Sequence, residues 1–529
     1  MLWLIPFVVL LSLLVLFYYK AIKPFSYWKD RGVPHKKPLP LIGNSAILIY
    51  KSKPFFEYVE DLYNDFPNER YYGIYQFSKP VIYVRDLDLI KSITVKDFDQ
   101  FVDHNNFIVD NVDKLLSKNL INLKGQTWRD MRATLSPSFT SSKMKTMFLL
   151  FSECSQQFVE YFEKKKENVV TVEMKDICTR FTNDAIASTA FGFKCDSLKD
   201  ETNEFYTMGK KATNVGGARL LLVVVLGLFP LLQKVIKFDI FPQSVSTFFR
   251  RVIKETIDSR ENGKLIRHDM IHLLLEARKG KVSRDEPETA ETEFAAVEES
   301  KIHHGKQPKL ELTDEDITAQ ALIFFFGGFE TSATLLSFMS YELAVNPEIQ
   351  EKLQAEIDET LNECDGSLTY NALQTMKYMD MVVSETLRKW PPGFQLDRRC
   401  VKDYVVEPVK QHERAFTIKK GDMVVIPTIG IHRDPHYFEN PNKFDPERFN
   451  DENKIKIKPY SYLPFGSGPR NCIASRFALL ENKTLIFHLL SRFNVVVIDK
   501  TQIPLKLSKT RITLVSEKGI WLGLERRKK

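Results

Sequence analysis

A glycine-rich stretch that contains one cysteine and precedes an apolar helical pattern constrains this chain more than any other feature. It reads PFGSGPRNCIASRFALLE, from Pro464 to Glu481. The glycines and proline at 466–469 favour an irregular turn, and the apolar spacing from Ala474 onwards predicts a helix. Cys472 therefore lies at a loop-to-helix junction, where free backbone N–H groups and the helix dipole stabilise a thiolate. A thiolate held in this way is suited to bind a metal such as iron.

The residue spacing within this stretch is specific. Phe465, Gly468, Arg470 and Cys472 fill the pattern F-x-x-G-x-R-x-C. A chain of this composition contains that pattern by chance only about once in a thousand sequences. A buried structural cysteine is the alternative interpretation, and it is the default for the other five cysteines. These five lie far apart, without zinc-site spacing or disulfide density, and indicate a reducing compartment. They are Cys154, Cys178, Cys195, Cys364 and Cys400.

The composition permits a large globular body and gives no sign of a nucleic-acid partner. The 529 residues are 43% hydrophobic, and the net charge of +7 comes from 75 basic and 68 acidic residues. No basic stripe with interleaved aromatic residues accompanies this balance, as nucleic-acid binding would require. A membrane surface or an acidic protein partner is compatible with the small positive excess.

Helical periodicity dominates the sequence. SFMSYELAVNPEIQEKLQAEIDETL and TMKYMDMVVSETLRKW have helical spacing, while KPVIYVRD, DMVVIPTIG and RITLVSEKGIWLGL predict short strands. The predicted fold is therefore mainly α with a small β region.

The first twenty residues predict a transmembrane anchor. They are apolar from Leu2 to Tyr19 except for Ser12, about long enough to cross a bilayer core. Basic residues follow this run and none precedes it, so the body is expected on the cytosolic side. A cleaved secretory peptide is the alternative, but the basic leading region and small-residue cleavage site are missing. The predicted domains are an anchor at 1–20, a basic, proline-rich hinge at 21–44 and a catalytic body at 45–529.

Two further segments differ from the helical body. The apolar run Leu220–Leu232 is too short to span a membrane, and it predicts either a core helix or an element that dips into the membrane surface. The charged segment Lys281–Asp316 predicts a mobile surface insertion. His303 and His304 within it are adjacent in a solvated loop and do not predict a metal site.

The cysteine stretch resembles the haem-binding loop of the cytochrome P-450 monooxygenases, in which a cysteine thiolate binds haem iron. Four further motifs similar to those of the family occur in the family's order: WRDMR, GGFET, ETLR and FDPERF. The resemblance extends from about Pro38 to the C-terminus and is nearest to microsomal, detoxification-type members, insect family nine above all. It implies the cytochrome P-450 fold, haem b as cofactor and Cys472 as the axial ligand of the iron.

The same resemblance implies roles for polar residues around the haem. Glu385 and Arg388 of ETLR, locked to Arg448 of FDPERF, are implied to brace the haem-binding core. Ala474 stands where the family prefers glycine, and its methyl group is expected to tighten the haem contact. The implied haem-binding residues are Trp128, Arg132, Arg398, Phe465, Arg470 and Cys472, with Trp128, Arg132, Arg398 and Arg470 at the propionates.

The motif GGFET places an acid and a hydroxyl next to each other on a helix. Cleavage of the bond in dioxygen needs protons while bulk water stays out, so we predict that Glu330 and Thr331 deliver them. Thr331 can bond back to the carbonyl of Gly327, where the helix is easily distorted.

The substrate chamber is predicted from the same helix. Ile323, Phe324 and Gly327 share the face of Thr331, although an aromatic stripe is more often plain core. Loops WPPGFQL and VDHNNFIVD are predicted to add Pro392, Gly393, Leu396, Phe107 and Ile108.

Electrons must come from another protein, because no dinucleotide-binding glycine motif and no flavin domain occur in the sequence. The resemblance implies an NADPH-cytochrome reductase, with cytochrome b5 as an optional second donor. Basic residues near the cysteine stretch predict the docking face, and an ordinary solvated surface patch is the alternative. They are Lys143, Lys145 and Arg476.

The predicted function is oxidation of lipophilic small molecules, such as xenobiotics, plant toxins, insecticides or endogenous lipids, with NADPH and O2 at the endoplasmic reticulum membrane. Two alternatives remain. A haem-thiolate isomerase or dehydratase acting on peroxides needs no reductase, but it typically lacks the acid–threonine pair. A non-enzymatic haem carrier or ligand sensor has no use for that pair.

Overall fold

The computed structural model describes residues 4–105, 114–213, 222, 225–226, 240–262, 269–279 and 312–528. Some sequence predictions therefore lie outside the described residues. They concern Phe107 and Ile108, most of the Leu220–Leu232 run, and most of the Lys281–Asp316 segment with His303 and His304.

The described chain is mainly helical, as predicted. Its helices of nine residues or more are Leu4–Phe17, Phe55–Asn64, Gly125–Leu135, Ser141–Glu163, Met174–Ile186, Glu204–Thr213, Gln243–Glu261, Met270–Arg278, Asp314–Val345, Pro347–Glu363, Lys377–Lys389 and Ser475–Arg492. Shorter α-helices are Tyr27–Asp30, Ala46–Tyr50, Leu87–Lys91, Lys114–Ser117, Tyr370–Thr375 and Thr428–His432. Single turns of 3₁₀-helix are Lys23–Ser26, Phe98–Gln100, Ser136–Phe139, Pro446–Phe449 and Lys454–Lys456, and π-helical turns are Tyr18–Ile22, Ser92–Lys96 and Ala187–Phe191.

Short strands form three small sheets in the described chain. The four-stranded sheet has the order β1 (Tyr71–Gln76), β2 (Lys79–Val84), β7 (Met423–Ile426) and β4 (Leu396–Arg399). The three-stranded sheet has the order β3 (Val169–Glu173), β9 (Trp521–Arg526) and β8 (Phe493–Val496), and β5 (Tyr404–Val406) pairs with β6 (Phe416–Ile418). In the first sheet β2 and β7 are parallel, while the β1–β2 and β4–β7 pairs are antiparallel.

The central helix, Asp314–Val345, is the longest in the described chain and contributes to two of its apolar core clusters. A capping box starts it, since the side chains of Thr313 and Asp316 each accept the other's backbone N–H. Apolar residues on all sides are typical of a helix buried in a protein core. Gly328 lets the helix Met174–Ile186 approach closely, because a Cβ atom there would lie 2.7 Å from Cδ1 of Ile186.

Membrane spanning at the N-terminus stays a prediction. Of the described helices, the central helix alone is long and apolar enough to cross a bilayer, and 61% of its apolar window is buried inside the protein. This burial fits a core helix. The N-terminal helix Leu4–Phe17 has 14 residues and exposes apolar side chains, with Ile5 70% and Phe7 65% exposed.

Candidate active site

A cavity of about 370 Å³ lies between the central helix and the cysteine loop, which we define as residues 464–474. Pockets of about 300–1,000 Å³ are usual for small molecules and cofactors. Twelve of the predicted site residues line this cavity, although they come from four separate parts of the chain. They are Trp128, Arg132, Ile323, Phe324, Gly327, Thr331, Pro392, Gly393, Leu396, Phe465, Arg470 and Cys472.

The cysteine loop depends on two glycines. Gly466 and Gly468 have φ values of +80° and +71°, a left-handed conformation that strains residues with side chains. A Cβ atom at position 468 would also lie 1.8 Å from the carbonyl oxygen of Thr94. The Cys472 N–H donates to the Phe465 carbonyl at 2.8 Å and closes the loop. The cysteine is thereby fixed three residues before the next helix begins.

The Cys472 thiol is enclosed by protein but open to the cavity. Its exposed surface lines the cavity wall. Burial raises the pKa of the Cys472 thiol, while a hydrogen bond from the Ala474 N–H and the charge of Arg132 oppose this rise. Donors and cations of this kind favour the thiolate that metal binding requires. Alanine at position 474 causes no backbone strain, because its φ is −105°.

Basic side chains border the cavity beside the cysteine loop. Arg132 donates from Nη1 and Nη2 to the backbone and side-chain oxygens of Asn471, at 2.8 and 2.9 Å. Burial lowers the pKa of Arg132 to about 10, although the Cys472 sulphur opposes the shift. The Arg470 guanidinium lies 4.1 Å from the ring centroid of Trp128 and donates to backbone carbonyls, including that of Val102 at 2.8 Å.

Arg398 lies behind the cavity wall rather than on it. Its side chain is 1% exposed, and Nη2 donates to the Ser467 carbonyl of the cysteine loop at 3.3 Å. Its buried Nε has no hydrogen-bond partner among the described residues. Burial lowers the pKa of Arg398 to about 10. The buried Nε atoms of Arg70, Arg85, Arg260 and Arg433 also lack a partner within the described part of the chain, so the Arg398 Nε is available to an added acceptor but does not by itself require one.

These residues fit a haem group. Cys472 offers a sulphur that could bind the iron, and the cations Arg132 and Arg398 suit the propionates of a flat, largely apolar molecule. The unpaired Nε of Arg398 is available to such a propionate. Arg470 fits less simply, since its donors already bind backbone carbonyls and a propionate would have to displace some of these bonds.

Comparison with known proteins agrees with this geometry. Residues 33–522 match the cytochrome P450 family model. The chain belongs to the cytochrome P450 family. Three relatives illustrate its place in the family. They are cytochrome P450 9e2 of Blattella germanica, 46% identical over 95% of this chain and 94% of the relative; probable cytochrome P450 9f2 of Drosophila melanogaster, 40% identical over 97% of each; and cytochrome P450 6k1 of B. germanica, 37% identical over 97% and 95%.

The resemblance to insect family nine is thus confirmed, and this P450 is an enzyme of the haem-thiolate monooxygenase type. Its cofactor is haem b, as in the rest of the family, and supply of NADPH electrons through a reductase is typical of family members. The roles of individual side chains around the haem stay predictions.

Thr331 and Glu330 are neighbours in sequence but face different surroundings. Thr331 is exposed to the cavity, and its hydroxyl donates to the Gly327 carbonyl as predicted. Glu330 does not line the cavity, and its carboxylate lies 3.2 Å from Nζ of Lys175. Lys175 also donates to the Glu330 carbonyl at 3.0 Å and to the Thr334 hydroxyl at 2.8 Å. Burial lowers the pKa of Lys175, whereas Glu330 opposes the shift.

The three residues implied to brace the haem-binding core are in contact. Arg388 donates from Nε and Nη2 to the two carboxylate oxygens of Glu385, at 2.6 and 2.7 Å. Both side chains are completely buried, and Nε of Arg448 lies 3.4 Å from Glu385. Arg388 also donates to the His432 carbonyl at 2.9 Å and so connects its helix to the chain that leads to the cysteine loop. Nε2 of His432 accepts the N–H of Leu463 at 2.8 Å, which extends this connection to the residue immediately before the loop.

The predicted chamber residues of the central helix lie on the cavity wall with Thr331. An added Cβ atom at Gly327 would meet no atom within 4 Å, so this glycine leaves open space in the wall. The ring of Phe324 packs against Phe139 with 5.5 Å between centroids, and both rings line the cavity. Pro392, Gly393 and Leu396 line another part of the wall.

Sequence reasoning missed several residues that the structure brings to the site. His104 lines the cavity, and its Nδ1 lies 3.1 Å from the Asp397 carboxylate. Burial lowers the pKa of His104, although Asp397 opposes the shift. Lys175 lies 155 positions before Glu330, and no local pattern distinguishes it from a surface lysine. Phe139 follows a proline in a single helical turn, where spacing carries no information about the cavity.

Proposed function

We propose that this P450 uses NADPH and O2 to insert one oxygen atom into lipophilic small molecules and to reduce the other atom to water. The observation that supports this most is a single cavity onto which both the Cys472 thiol and the Thr331 hydroxyl open. An oxygenase needs an electron-rich metal ligand and a proton donor at one space closed to bulk water. A protein that only carries haem does not need a proton donor at the same cavity.

The residues of the chain prepare the site for this chemistry. When bound, haem supplies the iron at which dioxygen is activated. Cys472 would hold the iron through its sulphur, and the Ala474 N–H and Arg132 favour the anionic form against the effect of burial. The Thr331 hydroxyl stays at the cavity because it is bonded to the Gly327 carbonyl. Thr331 orients protons there, and Glu330, held by Lys175, is their nearest acidic source along the helix.

Turnover with a purified NADPH-cytochrome reductase tests the proposed function. We expect consumption of NADPH and O2 to rise when a lipophilic substrate is added, with formation of a product one oxygen atom heavier. A peroxide isomerase or dehydratase would form product without either co-substrate, and a carrier would form none. Oxygen-18 from labelled O2 must appear in the product, and its absence would refute the proposal.

Thr331→Ala should uncouple the enzyme. Loss of the hydroxyl removes the proton donor at the cavity, so NADPH electrons should appear as peroxide, and product per NADPH should fall roughly tenfold or more. The matched control is Thr318→Ala, because Thr318 lies on the same helix, makes the same bond to a carbonyl four residues earlier, and does not line the cavity. Equal product per NADPH in the Thr331 variant and the parent would contradict the assigned role.

We propose bulky, apolar substrates of several structural classes, such as plant toxins or insecticides. Ile323, Phe324 and Leu396 offer no charge, and apolar contacts discriminate poorly between substrates. Gly327→Val should therefore narrow the substrate range, because its branched side chain would fill the open space beside Thr331. We expect kcat/KM to fall about tenfold or more for the largest compounds of a panel, less for the smallest, with Gly327→Ala intermediate. If the parent enzyme oxidised only one compound of the panel, a dedicated biosynthetic role would be favoured.

We also propose that residues 1–20 anchor the enzyme in the endoplasmic reticulum, with residues 45–529 on the cytosolic face. A chain that starts at residue 21 should keep its haem spectrum while most of it moves from the membrane to the soluble fraction. Flotation with liposomes measures the residual binding that the Leu220–Leu232 run predicts. Membrane attachment equal to that of the full chain would contradict the anchor.

For the reductase we propose a docking face that includes Lys143, Lys145 and Arg476. Charge complementarity of this kind acts mainly on the association rate. The double variant Lys143→Glu and Lys145→Glu should therefore lower the rate of reduction at low salt and lose much of the parent's salt dependence. Unchanged reduction by stopped flow would exclude these two lysines.

A further inference from the structure

A group of buried polar atoms without partners lies beside the cavity, where the central helix meets the helix Ser475–Arg492. Both carboxylate oxygens of Glu481, the Ser332 hydroxyl and the side-chain oxygen of Asn482 have no hydrogen-bond partner among the described residues. All three residues are buried, with Glu481 0% and Ser332 2% exposed. Such atoms are normally satisfied by protein or by ordered water.

The position of this group connects it to the reaction site. Ser332 follows Thr331 directly, and Ser332 and Asn482 both line the cavity. The Ser332 hydroxyl is also close enough to Glu481 to lower the pKa of its carboxyl. A water molecule bound by the Glu481 carboxyl and the Ser332 hydroxyl would have two of the two to four polar partners that buried waters require. A proton from Glu481 could therefore reach the cavity through the Ser332 hydroxyl and one water molecule.

Among the residues that the structure describes, Glu481 has no basic partner to stabilise a negative charge. Burial raises its pKa to about 8, with only Ser332 opposing the shift. Charges on the neighbouring helices are paired elsewhere: Lys483 binds Asp380, and Glu356 accepts the N–H groups of Tyr378 and Met379. Cys154, which faces Glu481 from the helix Ser141–Glu163, has its pKa raised to about 12 by burial and nearby acids, so its thiol stays neutral and adds no charge. These surroundings favour the neutral acid at physiological pH.

The acid at Glu330 has the opposite environment. Its carboxylate is held by the Lys175 ammonium and does not line the cavity. A second, neutral acid beside the cavity would therefore add a more readily available proton.

We propose that Glu481 is a neutral acid that stores a proton for the dioxygen reaction and passes it to the cavity through Ser332 and bound water. Reduction of one oxygen atom to water takes up two electrons, which the reductase supplies, and two protons. Glu481 gives one of these protons: its O–H bond breaks, an O–H bond forms on the water, and the carboxylate later regains a proton from solvent. Glu481 acts through other groups and does not touch the substrate. The need for protons rests on the proposed function. The protonation state of Glu481 does not depend on that function.

The first experiment measures that state without turnover. Infrared spectra of the haem-loaded enzyme, recorded with and without glutamate labelled by carbon-13, should contain a protonated carboxyl band that is absent in Glu481→Gln. The band should disappear with a midpoint near pH 8 as the pH rises. Because the acid donates only while it is neutral, product per NADPH in the parent should fall over the same pH range. Absence of the band from the parent at pH 6–7 would overturn the proposal, whether or not turnover is observed.

The second experiment separates proton supply from a structural role. Glu481→Gln and Ser332→Ala should each lower product per NADPH about three- to tenfold with an unchanged haem spectrum, and Ser332→Ala should retain the infrared band. Glu481→Asp keeps an acid and should recover part of the loss. In Glu481→Gln the remaining product per NADPH should no longer change with pH around pH 8. The acid would be only structural if Ser332→Ala and Glu481→Asp kept the parent's product per NADPH and its pH profile. A folded Glu481→Gln variant would then also have to keep the parent's product per NADPH. If Glu481→Gln does not fold, Ser332→Ala decides alone. If the parent makes no product, the proposed function fails, and the infrared result stands separately.

Discussion

Cys472→His should abolish monooxygenase turnover and the strongly red-shifted Soret band of the reduced, carbon monoxide-bound enzyme. An anionic sulphur donates far more electron density to haem iron than a neutral imidazole does, and both the spectrum and oxygen activation depend on that donation. The thiol receives a hydrogen bond from Ala474 of the loop and lies near the charge of Arg132 on the helix Gly125–Leu135, and an imidazole would use neither in the same way. We expect turnover below detection and a Soret band at the shorter wavelength typical of histidine ligation.

The matched control is Cys364→His. Cys364 follows the end of the helix Pro347–Glu363, is partly exposed and does not line the cavity. The same chemical change there should leave the spectrum and the turnover as in the parent. A red-shifted band that survives in Cys472→His would show that another residue binds the iron.

The parts of the site that depend on local geometry could be predicted from the sequence. The turn before Cys472 follows from glycines whose positive φ few other residues adopt. Helical periodicity placed Ile323, Phe324 and Gly327 on the face of Thr331, and all four line the cavity. Each of these inferences needs only a few consecutive residues.

The remaining parts depend on contacts between distant segments. Glu330 and Thr331 were predicted to act as a pair, but successive residues point about 100° apart around a helix. Glu330 therefore faces the helix Met174–Ile186 and meets Lys175, a partner that spacing cannot reveal. Ser332 and Glu481 likewise belong to helices far apart in sequence, and only the fold brings them to one place. Arg470 carries a recognisable motif position, yet its bonds to carbonyls beyond the motif could not be foreseen.

The membrane anchor, which includes the Leu4–Phe17 helix, was predicted from a different kind of signal. Hydropathy and flanking charge are properties of composition, so they predict membrane attachment from sequence alone. The structure adds the length of the helix, 14 residues, and shows several of its apolar side chains exposed. The truncation at residue 21 addresses this point directly.

Glu385→Gln should lower the free energy of unfolding by about 3–5 kcal/mol, because it leaves the charge of Arg388 buried without its counter-ion. Glu385 accepts two hydrogen bonds from Arg388 and one from the Asp445 N–H at 2.9 Å. Glutamine has nearly the same size and keeps one acceptor oxygen, so the loss reports charge rather than a cavity. The loss should also weaken the connection through the His432 carbonyl to the segment before the cysteine loop, so haem should dissociate at lower denaturant concentration.

Glu160→Gln provides the matched control for this change. Glu160 pairs with Lys164 at 3.4 Å, but the two side chains are 59% and 71% exposed, and surface pairs of this kind contribute about 0–1 kcal/mol. Denaturant midpoints followed by tryptophan fluorescence and by the Soret band should therefore separate the two variants clearly. A Glu385 variant as stable as the Glu160 variant would mean that water or a shifted carboxylate compensates Arg388, and that the buried pair does not brace the haem-binding core.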